Sequence, residues 1–344
     1  MKHFAIALLI VFSSARAEIQ NKSDDQIRDS WNHGVALLKT AGVRTFLRPG
    51  DRDHLKIAYS LVRRPESAKV VVLVPGFTES PDKYHELISD LWKEGYSVAA
   101  LNLRGMGSSD RYPRPAKMQP IMHVQTVHVA SFSDYVRDLQ YFVDKIVDVE
   151  FPESEKFFFA HSTGGLVVSY YLAENPRSGF RAAVLNSPLF GLGTSRFQRF
   201  VLGTGRLLFS GQWPPIPAQQ VYDPAAAKFA DETDANHEYR WKLYNEFLQA
   251  HPALVQSMPS RRWIAEVGKA TGADDIGALA KGIRIPLEVH QGTLDTYVDT
   301  KAHQAFARAS ARTKLITYDK AFHSVWNGVD YSTALADTLK FYRR

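Results

Sequence analysis

The 344-residue chain contains no cysteine. That excludes disulfides, thiolate nucleophiles and cysteine-ligated metals, and with them a lipid-modified cysteine at a processed N-terminus. Beyond its first residues the chain has no apolar run long enough to cross a bilayer, which takes about 20 helical residues. It also has no basic cluster: 42 Lys and Arg stand against 36 Asp and Glu, a net charge of +6, spread along the sequence. Nucleic-acid binding normally needs a concentrated basic stripe, so no nucleic-acid partner is expected. A mildly positive surface permits transient contact with an anionic membrane face. Repeats and low-complexity tracts are missing as well, which sets aside solenoids and disordered tails. Oligomeric state leaves no mark in the sequence.

What is present is ordinary globular material, 45% hydrophobic and 23% charged. The length suits one large α/β domain with an insertion. The first residues read as a signal peptide, residues 1–17: Lys2 and His3, an apolar run from Phe4 to Phe12, then Ser13-Ser14-Ala15-Arg16-Ala17. Cleavage is expected near Ala17, which implies a secreted or periplasmic, soluble protein. Losing Lys2 and Arg16 leaves 40 − 36 = +4.

Asp24 to Thr40 has helical periodicity, with Trp31, Val35, Leu37 and Leu38 on its apolar side. Val43–Leu47 and Leu55–Val62 read as strands joined at Pro49-Gly50-Asp51, an antiparallel hairpin. Val70 to Val74 is apolar throughout, as in strands buried on both faces of a parallel sheet. Helix-like and strand-like segments then alternate: 83–94, 97–101, 132–149, 156–160, 164–173 and 181–186. This alternation predicts a doubly wound, mostly parallel α/β sheet. It stops after Pro188, where 189–281 shows helical periodicity and no clear buried strand, and resumes with 285–291 and 314–318. The expected organisation is therefore a core of 18–188 and 282–344 interrupted by a helical insertion at 189–281.

The most informative segment is Phe157-Phe158-Phe159-Ala160-His161-Ser162-Thr163-Gly164-Gly165. A strand, a serine between small residues and a helix make a nucleophile elbow. Strand and helix approach closely there, so Ala160 and Gly164 must be small. The helix start adds amides and a partial positive charge beside a developing oxyanion. The usual first position is Gly; here it is Ala. A serine nucleophile needs a histidine held by a carboxylate, in the chain order Ser, acid, His for this kind of fold. His323 follows the strand 314–318 in a loop, where catalytic groups gather, whereas His303 lies in a helix-like stretch and reads as a surface or packing residue. Asp295 follows the strand 285–291. Spacing alone leaves Asp299, read as a helix cap, and Asp319, read as a turn residue, as alternatives. The oxyanion amides are expected from Thr163 and from Phe77, in the loop after Val74, with Gly76 permitting close approach.

Taken together, Gly76-Phe77-Thr78-Glu79-Ser80, Leu103 to Ser109, Phe132-Ser133-Asp134-Tyr135, the Ser162 elbow, Ser187 to Gly191, Asp295 to Asp299 and Ala321-Phe322-His323 resemble the α/β-hydrolase fold. Their order is most similar to its monoacylglycerol lipase and lysophospholipase L2-like branch, grouped as serine aminopeptidase S33. The resemblance runs from about residue 43 to the end. It implies that 189–281 is a cap over the active site and that the substrate is a lysophospholipid or acylglycerol ester. It implies no metal and no cofactor. Three departures stand out: Pro75 where the family commonly has His, Asn102 where an Asp often begins the Arg-Gly loop, and Thr163 where Met is commoner. Apolar residues from Phe197 to Trp213 are candidates for an acyl-chain wall or for the cap's own core. Arg261-Arg262 could meet a phosphate or be a solvated turn. Two other functions fit the same residues. Asp231, Glu232 and Asp234 could grip a substrate amine, as in an aminopeptidase, and a binding protein could keep the fold without the chemistry.

Overall fold

The computed structural model describes residues 20–116, 118–192, 221–271 and 273–344. The leader and the apolar cap residues from Phe197 to Trp213 lie outside the described residues.

Among the described residues, eight strands form one sheet in the order β1-β2-β4-β3-β6-β7-β9-β10. They are β1 (Arg44–Leu47), β2 (Lys56–Val62), β3 (Lys69–Val74), β4 (Ser97–Leu101), β6 (Glu155–His161), β7 (Phe180–Asn186), β9 (Leu287–Gly292) and β10 (Thr313–Tyr318). β1–β2 and β2–β4 pair antiparallel and every other pair is parallel. Strand β3 explains why the centre holds. Val70, Val72 and Val74 face one apolar cluster, Val71 and Leu73 the other, and all five are fully buried. Each such side chain contributes about 2 kcal/mol by leaving water. Helices Asp24–Ala41, His85–Lys93 and Tyr331–Tyr342 cover one face. Helices Phe132–Phe142, Thr163–Glu174, Arg261–Ala270, Ala273–Gly282 and Thr300–Ala309 cover the other.

Three features differ from the expectation. The long helix after Phe132 changes to a π-helical turn over Val143–Val147. A two-residue pair, β5 (Thr126–Val127) with β8 (Met258–Pro259), ties the insertion to the loop after β4; both are too short to show a period. Helix Ala273–Gly282, expected in the cap, instead contributes Ile276, Leu279 and Ala280 to the core cluster shared with the helix Thr163–Glu174.

Because the central strands are parallel, β3, β6, β9 and β10 all end at the same edge of the sheet. Their C-terminal loops carry Phe77, Ser162, Asp295 and His323 respectively. Open α/β sheets build sites at this edge.

Candidate active site

Ser162 sits between β6 and the helix Thr163–Glu174 with φ 49 and ψ −115, a backbone state that non-glycine residues rarely adopt. It is held there by its own amide, which donates to Asn186 O at 3.0 Å, and by its carbonyl, which accepts Leu189 N at 2.9 Å. The helix crosses the end of β3 so closely that a Cβ on Gly164 would lie 2.3 Å from Val74 O and 2.5 Å from Pro75 O. No side chain fits there, which is why the sequence has glycine.

Ser162, Thr163, Phe77 and His323 line one cavity of about 330 Å³, together with Trp241, Tyr244 and Trp263. A cavity of this size with a mostly apolar wall, aromatic in part and charged at Glu79, Lys83, Glu232 and Asp234, suits an apolar group. Trp263 packs on Phe77 with ring centres 4.2 Å apart. Gly76 donates its amide to Glu79 Oε2 at 2.6 Å and is thereby committed, while Phe77 is the next residue along the cavity wall. Thr163 Oγ1 is buried with no hydrogen-bond partner among the described residues.

The expected base and acid meet. His323 Nδ1 lies 2.7 Å from Asp295 Oδ2. The other Asp295 oxygen accepts the amides of Tyr297 at 2.8 Å and Val298 at 3.2 Å. Burial opposes the charge on Asp295, but His323 and these bonds keep its pKa below the usual carboxylate value. Burial likewise opposes a charged His323, and Asp295 overrides it, raising the imidazole above its ordinary value. The rivals have other work. Asp299 caps the helix Thr300–Ala309, accepting Lys301 N at 2.9 Å. Asp319 lies 3.4 Å from Thr293 Oγ1 in the turn after β10. His303 is fully buried, not at the surface, with Nε2 2.7 Å from Pro188 O; burial pushes its pKa down to about 4.

Sequence reasoning missed a buried charge network beside these groups. Lys83 Nζ donates to Glu79 Oε1 and to Asp234 Oδ2, both at 2.6 Å. Tyr84 Oη donates to Glu79 Oε2 at 2.5 Å. Ser324 Oγ donates to Asp234 Oδ1 at 2.8 Å and lies 3.2 Å from His161 Nε2. Burial drives the His161 pKa down to about 4. Buried Glu79 and half-buried Asp234 stay below the ordinary carboxylate value because Lys83 lies against both. Of the cap carboxylates expected to meet an amine, Asp231 is exposed, Asp234 is paired, and Glu232 bonds its own segment through the amides of Thr233 and Asp234. Arg262 bonds Ala130 O at 2.8 Å and pairs with Glu266 at 3.3 Å, outside the cavity wall. His161, Asp234 and His323 each offer a donor atom, all within 4.8 Å of one another, but the Lys83 ammonium already answers the only carboxylate among them.

The fold and the site's composition define an α/β-hydrolase. Residues 65–330 match the model of the family described as serine aminopeptidase, S33, and the chain belongs to that family. It is 28% identical over 253 residues to the probable lysophospholipase L2 of Haemophilus influenzae, covering 73% of this chain and 76% of that one. It is 26% identical over 266 residues to the lysophospholipase L2 of Escherichia coli, covering 74% and 72%. A soluble variant of the monoglyceride lipase of Saccharomyces cerevisiae superposes with a TM-score of 0.62 at 19% identity, over 87% of this chain and 93% of the other.

Proposed function

We propose that this protein is a serine hydrolase of lipid-type carboxylic esters, lysophospholipids or monoacylglycerols, working through an acyl-enzyme. The carrying observation is the 2.7 Å bond between His323 and Asp295 on a cavity shared with a serine in strained elbow geometry. The substrate class is supported by the relatives' names and by the mostly apolar cavity wall.

In this reading Ser162 Oγ attacks the ester carbonyl carbon as its proton passes to His323 Nε2. Nδ1 is already committed to Asp295, which fixes the tautomer and stabilises the imidazolium. The amides of Phe77 and Thr163 hold the oxyanion. The tetrahedral intermediate collapses, re-forming the carbonyl as its bond to the alcohol oxygen breaks; the alcohol leaves with the proton from His323, and Ser162 keeps the acyl group. Water, deprotonated by His323, attacks the acyl carbon; the bond to Ser162 Oγ breaks, His323 returns the proton to that oxygen, and the fatty acid departs. The leader-like first 17 residues support export, which N-terminal sequencing of the released protein tests by a start at Glu18.

The test is hydrolysis of a short p-nitrophenyl ester by the protein and by Ser162→Ala, followed by lysophospholipids, monoacylglycerols and aminoacyl amides. Loss in the variant is expected, with lipid esters preferred. Activity kept in Ser162→Ala removes the assignment of the nucleophile.

A further inference from the structure

We propose that Asp234 is a positioning residue for the general base, fixing the loop that carries His323 and setting the charge around its ring. This rests on the triad reading above. Asp234 comes from the segment between β7 and β9, 89 residues before His323 in the chain, yet it grips the residue next to the base twice. Its carbonyl accepts Ser324 N at 2.7 Å, and its carboxylate accepts Ser324 Oγ at 2.8 Å. The same carboxylate accepts Lys83, Lys83 also reaches Glu79, and Glu79 accepts the amide of Gly76. One largely buried path therefore runs from the loop that presents the Phe77 amide to the residue after the base. Phe77, Ser162 and His323 line one cavity, so the path bears on the spacing of oxyanion amide and imidazole together.

The path also acts through charge. Around His323 stand Asp295 and Tyr297 from the loop after β9, His161 at the end of β6, His303 from its helix, Glu79 and Lys83 from the oxyanion loop and the helix after it, and Asp234. After burial, which lowers the His323 pKa, the largest opposing influences are Asp295 and then Asp234. Neutralising Asp234 therefore makes His323 easier to deprotonate, and the acid limb of kcat/KM moves to lower pH. Removing the Ser324 hydroxyl cuts the side-chain half of the clamp without touching charge and leaves the limb in place.

The experiment compares the full-length protein with Asp234→Asn and Ser324→Ala on a p-nitrophenyl ester across pH, with Ser162→Ala as control and thermal unfolding to verify folding. A misplaced base costs roughly tenfold to a hundredfold in kcat, and both variants should show this with KM little changed. Only Asp234→Asn should shift the acid limb downward. An unmoved limb in a folded Asp234→Asn overturns the proposal, and so does wild-type kcat in Ser324→Ala. Where Asp234→Asn does not fold, the kcat of Ser324→Ala decides alone. Activity that survives Ser162→Ala removes the triad itself and this proposal with it, a result distinct from either.

Discussion

Replacing Arg104 by methionine should cost the fold several kcal/mol, and the cost should shrink as the pH falls. Arg104 is fully buried. Its guanidinium donates to both oxygens of Asp138, at 2.8 and 2.7 Å, and to both oxygens of Asp51, at 3.0 and 2.9 Å. Methionine keeps much of the volume and removes the charge. Among the described residues the two buried carboxylates then keep one cation, Arg48, which reaches Asp138 at 2.8 Å and Asp51 at 3.3 Å, and Asp51 keeps the Leu55 amide at 3.2 Å. Removing one partner of a buried pair costs about 3–5 kcal/mol. With an unfolding entropy of about 2 cal/mol/K per residue, 344 residues give about 0.7 kcal/mol/K, so Tm should drop by about 4–7 °C. The pH dependence separates charge from packing. In the native protein burial opposes the charge on Asp51, but Arg104 holds its pKa below the usual carboxylate value, so that contribution is present above the unfolded value near 4 and lost below it. Burial already raises Asp138 despite its arginines. Without Arg104 both carboxylates rise, take up protons in mild acid and shed the penalty, so the Tm gap narrows from pH 7 towards pH 4. Differential scanning calorimetry at several pH values measures it. A drop under about 1 °C at pH 7, or a gap that widens in acid, refutes the reasoning. Function should suffer too, because Gly105 O and Gly107 N hold Gln256 of the cavity wall at 2.9 and 3.0 Å.

Three further outcomes follow from the site. Asp295→Asn should lower kcat by roughly 10⁴-fold on a p-nitrophenyl ester, since the amide can hold the imidazole only in the wrong tautomer; a loss below about tenfold would return Asp299 to consideration. The acid limb of kcat/KM should lie above the ordinary imidazole value of about 6.5, because Asp295 outweighs burial at His323 and the base works only when neutral; a limb at or below that value contradicts the electrostatics. Gly164→Ala forces a Cβ to within 2.3 Å of Val74 O, so it should cost about 3 kcal/mol or more, read as a lowered Tm by calorimetry.

The fold was legible because its signals are local. Val70 to Val74 is apolar at every position, which only burial on both faces explains, and the elbow's small residues announce a close crossing that the Gly164 contacts then make concrete. Ser162, Asp295 and His323 could be named because each follows a strand end, and parallel strands bring such ends together. His303 was half-legible: packing was one of its two readings, but a polar residue in an amphipathic helix gives no sign that it faces inward. Helix Ala273–Gly282 falls in the expected cap because a sequence period shows that a helix has an apolar face, not which surface receives it. The charge network was illegible for a different reason. Asp234 and Lys83 are 151 residues apart, and a carboxylate in a loop beside Asp231 and Glu232 looks like solvated charge or a grip for a substrate amine. Its meaning changes once Lys83 stands 2.6 Å away. An answered carboxylate has little left to offer an incoming ammonium, and Glu232 spends Oε1 on two amides of its own turn. Of the acidic cluster that would have favoured an amine substrate, Asp231 points to solvent and Asp234 is turned towards Ser324 and the base, where its charge bears on proton transfer.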